Sequence, residues 1–224
     1  MSSLTSNPFA TRFISPGQVT WVGPEHYLEQ LTLRWEALNC SAAIVGVHGS
    51  GKSTLLEHFV PRIGNVIWRR NAEGVMATKT DPSNVSRPTV WLQLREAVPQ
   101  SMIIPWEELS RGRLLILDGY EQLSRGRRAM LIARIRLRGV KLLVTSHQRT
   151  ILPTLCRLSI TASTAKQIVM RLTEGRGEFA TVREEEFQQC LKDHRGNMRE
   201  ILMDFYDRFE DRRAVGSVEF KSES

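Results

Sequence analysis

Gly46-Val47-His48-Gly49-Ser50-Gly51-Lys52-Ser53 is the stretch from which the rest of the chain is read. It fits G-x-x-x-x-G-K-[ST] at every fixed position. Glycines let a backbone curl until successive N–H groups face a single anion. The preceding run, Ala42-Ala43-Ile44-Val45-Gly46-Val47, is short and apolar, of the buried-strand kind, and a helix is expected from Lys52 to Phe59. A loop ending at a helix N-terminus offers free donors and the positive dipole end to phosphate. There Lys52 would bridge β- and γ-phosphate oxygens, the Ser53 hydroxyl would ligate Mg²⁺, and Thr54 would reach the α-phosphate. Gly46, Gly49, Ser50 and Gly51 would form the cradle itself. His48 receives no role.

Further apolar runs lie on both sides. Residues 24–38 carry Tyr27, Leu28, Leu31, Leu33, Trp35 and Leu38 at near-helical spacing. Asn65–Trp68, Thr89–Leu94, Leu114–Leu117, Leu142–Thr145 and, more weakly, Leu158–Ala162 read as strands, with a helix over 124–138. Residues 71–88 are polar, hold two prolines, and read as irregular. Strands alternating with helices imply an α/β fold with a parallel sheet. After Thr164 the pattern becomes helical only, over 165–173, 183–193 and 197–211. The expected organisation is an extended N-terminal arm over 1–22, a core over 23–164, a small helical lid over 165–211 and a flexible tail over 212–224.

Leu114-Leu115-Ile116-Leu117-Asp118-Gly119 adds four aliphatics ending in an acid. Combined with the glycine loop about 65 residues upstream, this pair resembles the Walker A and Walker B motifs of P-loop NTPases. The strands beyond Asp118 resemble the additional-strand branch that includes AAA+ and STAND ATPases. The resemblance implies a three-layer P-loop fold followed by the lid, ATP and Mg²⁺ as ligands, and Asp118 as a metal carboxylate. It has one departure. AAA+ proteins carry a catalytic Glu directly after that Asp, whereas Gly119 stands here and the next acid is Glu121. LLILDGYEQL is closer to NACHT-type STAND sequences, in which an acid follows three places after the Asp. Glu121 is therefore the candidate for orienting the attacking water, or else a cap of the following turn.

Two further segments fit the resemblance. Lys141-Leu142-Leu143-Val144-Thr145-Ser146-His147 is a strand ending in polar residues, where such ATPases keep the sensor 1 group. Ser146 or Thr145 fits, His147 less well. Gly196-Asn197-Met198-Arg199-Glu200 resembles the lid-helix G-N-x-R-E motif, which would make Arg199 the sensor 2 arginine facing the γ-phosphate. The same residues also read as local signals: Gly196 ends one helix, Asn197 caps the next, and Glu200 completes a capping box. In related ATPases the segment before the core often wraps the base, and residues 7–23 can do so here. A small-molecule kinase ranks lower, because the helical extension follows the last strand. An ATPase coupling nucleotide state to lid or partner rearrangement is the first expectation, and a slowly hydrolysing switch the second.

Composition limits the other classes. The chain has 224 residues, 41% hydrophobic and 25% charged, which excludes a fibre or a wholly disordered chain. No apolar run approaches the roughly 20 residues of a membrane span. No stretch of signal-peptide type opens the sequence. Cys40, Cys156 and Cys190 are scattered, so neither a disulfide framework nor a CxxC knuckle is expected, and a reduced, cytoplasmic setting is. Lys and Arg number 31 against 24 acids, a net charge of +7, with 25 of the 31 being Arg. That surplus suits an anionic partner or reflects an Arg-rich surface. Arg127, Arg134 and Arg138 share one helical face, suited to DNA or RNA phosphate, to an acidic neighbour in an oligomer, or to solvent. Arg111 and Arg149 are unranked candidates for a finger supplied between subunits.

Overall fold

The computed structural model describes residues 6–71, 74–77, 88–94, 104–176 and 182–222. The chain is α/β. Its seven-stranded sheet has the order β3-β2-β4-β5-β6-β1-β7. The strands are β1 (Ser41–Gly46), β2 (Asn65–Asn71), β3 (Gly74–Ala77), β4 (Pro88–Gln93), β5 (Leu114–Asp118), β6 (Lys141–Ser146) and β7 (Thr154–Leu158). Every pairing is parallel except β2 with the edge strand β3. The helices are α1 (Thr11–Ile14), α2 (Tyr27–Ala37), α3 (Lys52–Ile63), α4 (Arg125–Arg138), α5 (Ala162–Thr173), α6 (Glu184–Asp193) and α7 (Met198–Ser222).

The chain divides into two compact units. One comprises 24–46 and 55–158 and contains the sheet; the other comprises 1–23, 47–54 and 159–224. In the sheet unit β1 and β5 are buried almost end to end, as parallel strands covered on both faces must be. Alternation sends Ala43, Val45, Leu115, Leu117, Leu142 and Val144 into one cluster with Leu131, Ile132 and Ile135 of α4. Helix α4 starts where the Ser124 hydroxyl accepts from the Arg127 N–H at 3.4 Å, and stops at Gly139, whose φ is 63°. On the outer edge, Arg34 of α2 donates to the Thr154 carbonyl of β7 at 3.2 Å.

The helical unit has its own core. Ala165, Ile168 and Val169 of α5 and Phe187 and Cys190 of α6 pack with Met198, Ile201, Leu202, Phe205 and Phe209 of α7. Phe9 joins them, its ring centroid 5.5 Å from that of Phe205.

Five expectations change. The N-terminal arm is not simply extended: it holds α1, and Asn7 Nδ2 donates to the Tyr206 carbonyl at 3.0 Å and to Glu210 Oε1 at 2.8 Å. The irregular stretch 71–88 contains β3, whose backbone pairs with β2 in the register Asn71↔Gly74 to Trp68↔Ala77; four residues are too few to show a period in sequence. The last strand is Thr154–Leu158, not 158–162, because Leu155 and Cys156 are the buried pair. Thr161 instead caps α5, accepting from the Thr164 N–H at 3.1 Å. Helix α3 runs through Pro61 to Ile63, held by burial of Val60 and Ile63, and α7 continues past 211 to Ser222.

Candidate functional site

Parallel pairing brings the C-terminal ends of β1, β6 and β5 to one edge of the sheet. Gly46, Ser146 and Asp118 end these strands, with β6 between the other two. The polar residues there form a defined network. Asp118 is 7% exposed, and its Oδ1 accepts from the Thr145 hydroxyl at 2.6 Å. Thr145 Oγ1 in turn accepts from the Gly119 N–H at 2.8 Å. The Thr145 hydroxyl proton is thus committed to the carboxylate, which fixes the rotamer of Asp118. Ser146, 3% exposed, uses its Oγ to accept from the Gln148 N–H at 3.3 Å and keeps its own proton to donate. Of the two sensor 1 candidates, Thr145 acts as a clamp and Ser146 remains as a donor.

The residue after Asp118 is held as glycine by its backbone. Its φ is 96°, and a Cβ built there would lie 2.5 Å from the Leu94 carbonyl oxygen. No side chain fits there without displacing Leu94, and the next acid along the chain is Glu121. The short 3-10 turn Tyr120–Gln122 supplies Glu121. Its Oε1 lies 3.2 Å from His147 Nε2, while its Oε2 is buried without a hydrogen-bond partner. Its backbone carbonyl accepts from Arg128 at 2.7 Å, and Arg128 stacks over Tyr120 at 5.2 Å. Glu121 does not cap α4; Ser124 does. The Tyr120 hydroxyl is pushed above its usual range by burial.

The glycine loop belongs to the helical unit. Gly49 and Gly51 have φ of 67° and 83°, the region where side chains are strained. Lys52, 9% exposed, donates from Nζ to the Val47 carbonyl at 2.8 Å. Ser50 is 3% exposed and its Oγ has no hydrogen-bond partner. Ser53 and Thr54 lie half-buried in the first turn of α3. The start of α7 meets this loop. A Cβ on Gly49 would lie 1.8 Å from Asn197 Oδ1 and 3.0 Å from the Met198 nitrogen.

That contact corrects the capping expectation. Asn197 Oδ1 is buried and hydrogen-bonded to nothing, so it does not cap α7. Glu200 Oε2 faces His194 Nδ1 at 3.5 Å rather than closing a box. Arg199 is exposed in the first turn of α7 and makes no hydrogen bond or ion pair. Within the same unit Gln18, Val19, Thr20 and Val22 line a cavity of about 220 Å³ with Ile168 and Leu172 of α5.

Two other clusters stand apart. Asp204 accepts from Arg208 Nε at 2.6 Å, contacts His194 Nε2 at 3.0 Å, and accepts from the Cys190 thiol at 3.2 Å. The Arg208 bond, aided by His194, holds the Asp204 carboxyl down at about 2; burial and Asp204 push Cys190 up to about 12. On α4, Arg134 and Arg138 stack on Trp106 at 4.2 and 5.7 Å, and Arg138 also donates to the Trp106 carbonyl at 2.8 Å. Two members of the expected basic stripe therefore pin their own chain. Among the described residues no His/Cys/Asp/Glu cluster could hold a metal by itself, and no helix is long and apolar enough to cross a membrane. No protein-family model matches this chain, and no curated protein is found to resemble it.

Proposed function

We propose that this chain binds MgATP through the Gly46–Thr54 loop and hydrolyses it, as an ATPase of AAA+/STAND type. The carrying observation is the loop itself: two positive-φ glycines, the buried Lys52 turned onto a loop carbonyl, and the partnerless Ser50 hydroxyl, all at the start of a 12-residue helix. These are donors arranged for an anion. The single strand between β1 and β5 supports the additional-strand branch. Bound MgATP supplies the phosphoanhydride and the metal charge. Lys52 would hold phosphate oxygens, Ser53 and Asp118 would hold the metal, with Asp118 kept in position by Thr145. Glu121 would orient the water, Ser146 would donate to the reacting phosphate, and Arg199, unpaired here, would read the γ-phosphate. The base would lie against the segment that carries Gln18, Val19, Thr20 and Val22, which line a cavity of about 220 Å³.

A slow, nucleotide-gated switch acting on a protein partner, a second copy or DNA is the second reading. Gly119 favours it, since it bars an acid beside Asp118. Lys52→Ala tests the central claim: nucleotide binding, followed by calorimetry, should be abolished, and unchanged affinity would refute it. Turnover measured across protein concentrations, with and without DNA, separates the ATPase from the switch.

A further inference from the structure

We propose that His147 is a positioning residue for Glu121; the inference rests on the hydrolytic reading above. Glu121 is the next acid along the chain after Asp118, and position 119 does not accept a side chain. Its carboxylate is held on one side only. Oε1 lies 3.2 Å from His147 Nε2, and Oε2 is stripped of solvent with no partner. A buried carboxylate oxygen without a donor is costly, so its retention asks for a use. An oxygen in that state is an acceptor for one incoming proton donor, and a water bound there would be oriented by it.

Both ends of the pair are fixed from behind. The Glu121 backbone is tied by Arg128 to its carbonyl at 2.7 Å, and by the turn bonds Gln122 N–H to Gly119 O at 3.0 Å and Leu123 N–H to Tyr120 O at 3.1 Å. His147 follows the last residue of β6, and the Ser146 hydroxyl closes the chain around it by accepting from Gln148. With both backbones anchored, the remaining freedom of the Glu121 carboxylate is rotation of its own side chain. His147 removes that freedom by occupying Oε1, which leaves Oε2 to face the reacting water. From sequence alone His147 is a lesser sensor 1 candidate; beside Glu121 it has a different task.

The test uses the full chain and four variants: His147→Ala, His147→Gln, Glu121→Gln and the His147→Ala/Glu121→Gln pair. Gln carries an amide N–H near the place of Nε2. In MgATP turnover, His147→Ala should lower kcat about tenfold to a hundredfold, the scale of an ångström-level misplacement, with KM within about twofold. His147→Gln should recover most of the loss. The double variant should be no slower than Glu121→Gln alone, since a positioning residue has nothing left to position. Unchanged kcat in His147→Ala, equal losses in kcat and nucleotide affinity, or additive losses in the double variant would overturn the role. Wild-type chain that binds MgATP without any turnover would refute the hydrolytic reading and this role with it. Turnover in wild type with His147→Ala unaffected would refute this role alone.

Discussion

Placing an acid directly after Asp118 by Gly119→Glu should damage the protein and should not raise any turnover of MgATP. Two terms act at that residue. A φ of 96° is strained for any L side chain, at about 1–2 kcal/mol. A Cβ would then lie 2.5 Å from the Leu94 carbonyl oxygen, inside contact distance. Leu94 cannot give way easily, because its N–H donates to the Asp118 carbonyl at 2.7 Å. Overpacking of this kind costs about 1–3 kcal/mol. The sum is roughly 2–5 kcal/mol, and for a chain of this length each kcal/mol lowers Tm by about 2–4 °C. Thermal unfolding followed by circular dichroism should therefore drop by roughly 10 °C. Gly119→Ala should lose nearly as much, because both terms arise at Cβ. Gly51→Ala provides the contrast: its φ is 83° but open space surrounds it, so only the conformational term of about 1–2 kcal/mol applies. A Gly119→Glu chain with wild-type Tm and raised kcat would refute the steric argument.

Thr145→Val should remove the donor to Asp118 and the acceptor of Gly119 together, costing about 1–3 kcal/mol and weakening the Mg²⁺ dependence of nucleotide binding; a magnesium titration unaffected by the change would sink the clamp. Phe9→Ala should destabilise the helical unit by about 3–5 kcal/mol, read by urea unfolding, because its ring lies 2% exposed against Phe205. Asp204→Asn should destabilise α6 and α7 at neutral pH. The Asp204 carboxyl is held at about 2, below its usual 3.8, so its contribution is full above about pH 4 and fades as pH falls toward 2. Wild type and variant should thus converge in stability near pH 2, and a gap that stays constant with pH would exclude the ionic explanation.

Much of the sheet was legible because its strands are buried on both faces. Ala42–Val45, Leu114–Leu117 and Leu142–Thr145 are unbroken apolar runs, and such runs need no partner to be recognised. The hairpin strand β3 was not, since an edge strand of four residues is set by pairing with β2 and not by its own pattern. Within the candidate site, Gly49, Gly51 and Lys52 follow from local backbone chemistry and were readable. The Thr145–Asp118 clamp and the Glu121–His147 pair were not: each joins residues some 26 positions apart, and strand register decides which side chains meet. Asn197 illustrates the opposite failure. Its local capping signal was clear, yet its Oδ1 lies beside Gly49 and accepts no bond from the backbone it would cap.

The stacking of Arg134 and Arg138 on Trp106 changes what the protein's valence means to a polyanion. Six of the fourteen residues of α4 are arginines and none is acidic. Taken at face value, six phosphate contacts imply a salt slope near −5 for duplex DNA. Arg128, Arg134 and Arg138 already lie on aromatic rings, and Arg128 and Arg138 also donate to backbone carbonyls. Among the described residues, Arg125 and Arg136 are the exposed members of this helix whose side chains make no hydrogen bond, ion pair or ring contact. Two contacts give a slope near −2, about what weak, nonspecific adhesion shows. Reversing Arg134 and Arg138 would disturb the Trp106 packing along with the charge, so Arg125 and Arg136 are the positions at which charge alone can be changed.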